Sequence, residues 1–247
     1  MLIHAGVADR RMWDPLWPVL SAGQDVVRLD LRGFGESTER PEDGALSHVD
    51  DVLETLTELG IDRCRLVGAS LGAGVAVEAA LARPEAVASL LLCAPGGSLI
   101  PEMTAELRAF VTAENAAMET KDLDAAAEAN VTWWVAGPHR AAAEVDPAVR
   151  DLVRRMQRRA FELTADWDDV EEREPEPPAL DRLGEITAPT LVLQGGLDLD
   201  AIQEAARRVT EGITGARRVD WADTAHLPTL ERPGDFLTLL REELHSA

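Results

Sequence analysis

Ser70 stands between glycines in Gly68-Ala69-Ser70-Leu71-Gly72, where the apolar run "CRLVG" ends and an alanine-rich stretch begins. A serine hydroxyl is a poor nucleophile at neutral pH and needs a base that a third group orients. A serine at a strand-to-helix turn sits on a strained bend that lifts the hydroxyl clear of the sheet. The flanking glycines let neighbouring segments close up without a Cβ clash. The helix after it points its first N–H groups and the positive end of its dipole at the same spot. Such a bend suits nucleophilic attack on a carbonyl. The bland alternative is a structural serine at a packed turn, and the strand-then-helix context weighs against it.

Five histidines compete to be the base. His226 lies in "WADTAHLPTLERP", just after the last apolar run, where a loop can carry an imidazole over the strand ends. His4 closes the first strand, His48 sits at a helix start, His139 in the middle of the chain and His245 in the closing helix. The orienting acid belongs after a strand between serine and histidine, and "TLVLQGGLDLDAI" offers Asp198 and Asp200. Asp198 directly follows the Gly195-Gly196 turn, whereas Asp200 reads as the cap or first turn of the next helix, so Asp198 is the choice. Read as a metal pair, Asp198-x-Asp200 has no third or fourth ligand nearby. No metal and no cofactor are expected. A tetrahedral oxyanion needs two backbone donors. Leu71 supplies one, and Gly6 or Val7, in the loop "HAGVADRRMW", the other.

The elements that must position these residues emerge from hydrophobic spacing. Strands are predicted at Leu2–His4, Asp25–Asp30, Cys64–Gly68, Val87–Pro95, Ala188–Gly196 and Ala216–Ala222. Between the first two, "MWDPLWPVLSA" reads as a helix interrupted by prolines. Ala45–Gly60 carries Val49, Val52, Leu53, Leu56 and Leu59 at helical spacing, with Ser47 as N-cap and Gly60 as the stop. Strands alternating with helices give an α/β fold whose parallel sheet is covered on both faces. From Leu99 to about Pro178 the strands vanish, and the chain turns helical before the proline-rich exit "EEREPEPPALDRL". The expected division is a core over 1–98 and 181–247, with a helical insert over 99–180 lying above the carboxyl ends of the strands, the edge at which open parallel sheets bind ligands.

With 45 acidic and 24 basic residues the net charge is −21, which argues against nucleic acid and against anionic membrane surfaces. Cys64 and Cys93 form neither a metal spacing nor a disulfide framework. No signal peptide or bilayer-spanning run is evident, so a cytoplasmic protein acting on a small molecule is expected.

The stretches "LIHAGVADRRMWDPL", "VVRLDLRGFGES", "LVGASLGAGVAVEAALARPE", "PTLVLQGGLDLD" and "AHLPTLERPGDF" together resemble the α/β-hydrolase superfamily. The likeness is greatest to its capped, small-substrate branch of enol-lactonases, carboxylesterases and cofactor-free haloperoxidases. The resemblance implies a mostly parallel sheet with a cap, Ser70 as nucleophile, His226 as general base and then acid, and Asp198 as its orienter. It also implies an ester or lactone substrate cleaved through an acyl-enzyme. Relatives that use an aspartate nucleophile are set aside by Ser70. Carbon–carbon bond hydrolases often carry a glycine-proline-rich oxyanion loop, which "HAGVADRRMW" lacks. A perhydrolase using the same triad and a non-catalytic ligand-binding or regulatory protein stay as alternatives.

Two departures stand out. His4-Ala5 replaces the usual His-Gly, which re-angles the oxyanion loop. The two strands that usually precede the first one here are missing, leaving Asp25–Asp30 as a bare apolar edge. Either the natural start lies upstream or the edge is hidden by homo-oligomerisation. Trp133, Trp134 and Trp167, in the expected cap, are candidates to line the pocket, although anchoring cap helices is the commoner use of such residues.

Overall fold

The computed structural model describes residues 1–173 and 175–246. Its strands are β1 (Leu2–Ile3), β2 (Ala45–Leu46), β3 (Cys64–Ala69), β4 (Val87–Cys93), β5 (Glu171–Glu172), β6 (Thr190–Gly195) and β7 (Arg217–Trp221). Five of them form one parallel sheet in the order β1-β3-β4-β6-β7, while β2 and β5 pair as a two-residue ribbon. The register places Leu66 beside Leu90, Val67 beside Leu91 and Leu91 beside Leu191. Side chains alternate across a strand. Leu66, Leu90, Leu92 and Val192 therefore enter one apolar cluster, and Val67, Leu91, Leu191 and Leu193 the other. Burial on both faces is why these strands read as unbroken apolar runs.

The first of those clusters is closed by α2 (His48–Glu58), α3 (Leu71–Ala82) and α7 (Asp200–Gly212), through Val52, Leu56, Val75, Val77, Ala206 and Val209. The second is closed by Met12 and Trp13, by Leu20 of α1 (Trp17–Leu20), and by Phe236 and Leu240 of α9 (Pro233–Ser246). Each such large apolar side chain stabilises the fold by about 1.5–3 kcal/mol when fully buried. The short α8 (Pro228–Glu231) precedes α9. Among the described residues no helix is long and apolar enough to cross a membrane.

Between β4 and β6 the chain is helical apart from β5: α4 (Ala105–Glu119), α5 (Leu123–Asn130) and α6 (Pro147–Leu163), with α5 running into a π-helical turn at Val131–Ala136. Capping fixes where they start. Thr104 accepts from Leu107 N at 3.2 Å and Asp122 from Ala125 N at 3.0 Å, satisfying otherwise orphaned donors. Leu107, Phe110, Trp134 and Met156 join the second apolar cluster, so this segment packs on the core rather than standing apart.

Two predicted elements differ. Asp25–Asp30 forms no strand beyond one bridge between Leu2 and Arg28, with Leu2 N donating to Val27 O at 2.8 Å. Its partner β1 is only two residues long, and no strand among the described residues pairs with the far side of Asp25–Asp30, so the ladder has nothing to extend along. Ala45–Leu46 leaves the helix to pair with Glu171–Glu172, and that pairing also puts a two-residue strand inside the Leu99–Pro178 stretch, where none is predicted. The helix begins where Ser47 accepts from Asp50 N at 3.2 Å.

Candidate active site

Ser70 joins β3 to α3 with φ 51° and ψ −115°, a left-handed conformation that an L-residue adopts only when its surroundings force it. The surroundings do. An added Cβ on Gly68 would lie 2.2 Å from the Gly72 carbonyl oxygen, and one on Gly72 would lie 2.5 Å from Ile3 O. Both contacts exclude any side chain, and together they press α3 onto β3 and β1. Ser70 N donates to Cys93 O at 2.9 Å, tying the bend to the end of β4. Burial pushes the Cys93 thiol up, so that cysteine is an inert spacer.

The Ser70 side chain is half-buried, and its Oγ makes no hydrogen bond to another described residue. Backbone comes close to it, since a Cβ built on Gly96 would lie 2.8 Å from Oγ. Leu71 N, the first amide of α3, has no acceptor within the helix. Gly6 lies against Leu71, its notional Cβ 3.6 Å from Leu71 Cβ. The amides of Gly6 and Val7 donate to no backbone acceptor among the described residues.

His226 and Asp198 meet. The imidazole Nδ1 lies 2.8 Å from Asp198 Oδ2, and the two side chains are 1% and 0% exposed. An acceptor-only carboxylate fixes the proton on Nδ1 and leaves Nε2 as a base. The carboxylate is held in turn: Oδ1 accepts from Leu199 N at 2.8 Å, and Oδ2 from Gln194 Nε2 at 3.3 Å. Asp200, the rejected alternative, instead begins α7 and accepts from Thr104 Oγ1 at 2.5 Å.

His4 is also fully buried, but both ring nitrogens are engaged, Nδ1 with Ala5 O and Nε2 with Leu31 N, each at 2.9 Å. It shapes the loop after β1, as its position in the sequence suggests. His48 packs beside Phe34, with burial depressing its pKa to about 4. Among the described residues no three His, Cys, Asp or Glu side chains converge as metal ligands would.

Of the three candidate pocket tryptophans, Trp134 reaches this site. Its ring centroid lies 4.5 Å from that of His226, its carbonyl accepts from His226 N at 3.2 Å, and Phe110 packs edge-on against it at 5.0 Å. Trp133 is half-buried against the second apolar cluster. Trp167 packs on the turn at Gly33, whose notional Cβ would lie 3.1 Å from it. Gln194 and Gly96 escape a sequence reading because a single strand or loop residue carries no mark of the neighbour it will touch.

A parallel sheet carrying a strained serine at a strand-to-helix bend, with a buried histidine–carboxylate pair after the last strands, defines a class. The chain belongs to the alpha/beta hydrolase fold family, whose model matches residues 1–233. Among curated proteins it is 27% identical to strigolactone esterase RMS3 of Pisum sativum over 239 residues, covering 93% of this chain and 86% of that protein. Among solved structures, the enol-lactonase of Burkholderia xenovorans LB400 superposes with a TM-score of 0.76 at 25% identity, covering 99% of this chain and 90% of the other. A thermophilic esterase of Thermogutta terrifontis gives 0.78 at 25% identity, covering 99% and 88%.

Proposed function

We propose that this hydrolase-family protein is a serine hydrolase that cleaves a small carboxylic ester or lactone through an acyl-enzyme on Ser70. The observation that carries the proposal is the buried 2.8 Å contact of His226 Nδ1 with Asp198, in a chain whose strained Ser70 sits at the strand-to-helix bend. The esterase and enol-lactonase names among its relatives agree with that substrate class.

His226 Nε2 takes the Ser70 proton as Oγ attacks the substrate carbonyl. The N–H of Leu71, with that of Gly6 or Val7, receives the oxyanion, and each such donor is worth about 3 kcal/mol of barrier. Collapse of the tetrahedral intermediate breaks the ester C–O bond, and His226 gives its proton to the leaving alkoxide oxygen. A water then repeats the cycle on the acyl group and frees Ser70. Ser70 Oγ must meet Nε2 as substrate binds, since catalytic hydrogen bonds commonly tighten only in the complex. The helical segment over 99–180 acts as a cap, and Trp134 with Phe110 forms an apolar wall beside His226 that suits an uncharged acyl or alcohol group.

The test is a rate profile across acyl chain length and lactone ring size, with Ser70→Ala as the blank. Hydrolysis is expected for short-chain esters or small lactones and lost in the folded variant. Undiminished hydrolysis by Ser70→Ala would overturn the proposal.

A further inference from the structure

The proposed role of His226 asks what holds its loop, and the answer lies at Arg140, just beyond the π-helical turn that carries Trp134. Its guanidinium spans four acceptors. Nε donates to Ala136 O at 3.0 Å, Nη2 to Val135 O at 2.9 Å and Nη1 to Asp223 O at 3.3 Å. Nη2 also pairs with Glu231 Oε2 at 2.7 Å. The second Glu231 oxygen accepts from Ala225 N at 2.7 Å, the amide directly before His226. His226 N closes the circuit by donating to Trp134 O at 3.2 Å.

This pair is unusual for the protein because both ends are withdrawn from water, with side chains 13% and 9% exposed. Burying two charges is costly and seldom a net gain in stability over apolar packing, so a structural role alone explains the pair poorly. Its fork geometry does something apolar residues cannot. It satisfies two carbonyls at the end of a π-helical turn, where intrahelical partners run out. It also clamps the backbone that leads into His226, at Asp223 and at Ala225. Arg140 and Glu231 lie 91 positions apart, so nothing local in the sequence links them.

We infer that Arg140 and Glu231 are positioning residues acting as one unit: they hold the loop of His226 against the Trp134 turn, and so fix the imidazole between Asp198 and Ser70. This rests on the serine-hydrolase reading for its catalytic consequence but not for its structural one. A misplacement of about 1 Å costs on the order of 100-fold in rate. Arg140→Met and Glu231→Gln should therefore each lower kcat by about 10- to 100-fold while KM changes by less than about threefold. The double variant should be no worse than the worse single one, because both break the same unit.

A readout free of substrate is the far-downfield imidazole N–H proton resonance of His226 bonded to Asp198. It should shift or broaden in both variants and stay in place in Arg182→Gln, which breaks only the exposed pair with Glu185. Arg140→Lys keeps the cation but not the fork, and it should fold and recover only part of kcat. Should Arg140→Met fail to fold, Arg140→Lys and Glu231→Gln carry the test. Folded variants with wild-type kcat and an unmoved resonance would overturn the inference. A resonance that responds while Ser70→Ala keeps full esterase activity would sink the catalytic reading and leave the positioning role standing.

Discussion

Replacing Asp198 by asparagine changes one atom and leaves a buried site with three donors and too few acceptors. Asp198 accepts from Leu199 N at 2.8 Å, from His226 Nδ1 at 2.8 Å and from Gln194 Nε2 at 3.3 Å. An asparagine keeps one oxygen. Turned toward His226, it sets its amide NH2 against the Leu199 N–H, leaving a buried donor unpaired at about 1–3 kcal/mol. Turned toward Leu199, it leaves only the long Gln194 contact unmet, provided the imidazole switches tautomer so that Nδ1 accepts. The second arrangement sacrifices the weaker bond and should win. It places the imidazole proton on Nε2, where no proton can be taken from Ser70. A wrong tautomer of this kind costs about 10⁴-fold in kcat, or about 5.4 kcal/mol of barrier. Steady-state hydrolysis of p-nitrophenyl acetate measures the loss, and fluorophosphonate labelling of the serine should slow by a comparable factor. Hydrolysis by Asp198→Asn within tenfold of the parent would refute the tautomer argument.

Gly96→Ala puts a methyl group 2.8 Å from Ser70 Oγ, closer than real Cβ contacts allow. It should lower kcat by about 100-fold with little change in Tm, and an unaltered kcat would mean that the hydroxyl works facing away from Gly96. His48 links stability to pH. Its folded pKa is about 4 against 6.5 unfolded, so the unfolded state binds the extra proton between those values. Stability is thus complete above about pH 6.5 and falls toward pH 4, by up to about 3 kcal/mol for this group. Asp51, Glu114 and Glu231, whose pKa values are raised chiefly by burial, act in the opposite sense. The comparison is therefore denaturant unfolding of wild type against His48→Asn at both pH values. A smaller acid loss in the variant is expected, and equal losses would count against it.

How far the sequence carried this picture depended on whether a contact left a local trace. Ser70 was legible because its glycines encode a backbone bend, and Ser47 because a cap sits at a fixed offset from the amide it serves. Asp198 over Asp200 was legible because a residue just past a glycine turn and a residue opening a helix have different neighbours in the chain. Asp25–Asp30 was misread because its composition suits a strand, while strand formation depends on a partner that β1 is too short to provide. Trp134 could be named but not separated from Trp133 and Trp167, since the π-helical turn that sets its direction has no signature in residue type. Contacts such as Gly96 with Ser70 or Arg140 with Glu231 are products of tertiary packing and have no sequence spacing to announce them.

The most direct measurement is where the acyl group lands. After rapid acid quenching of a reaction with p-nitrophenyl acetate, tryptic digestion should give a peptide from Leu66 to Arg108, because Pro84 blocks cleavage after Arg83. That peptide contains Ser70, Ser89 and Ser98, and fragmentation separates them. A single acetyl group on Ser70, transient and absent from Ser70→Ala, is the expected result. Steady turnover with no acyl group on Ser70 at any quench time, or with one on a different side chain, would contradict it.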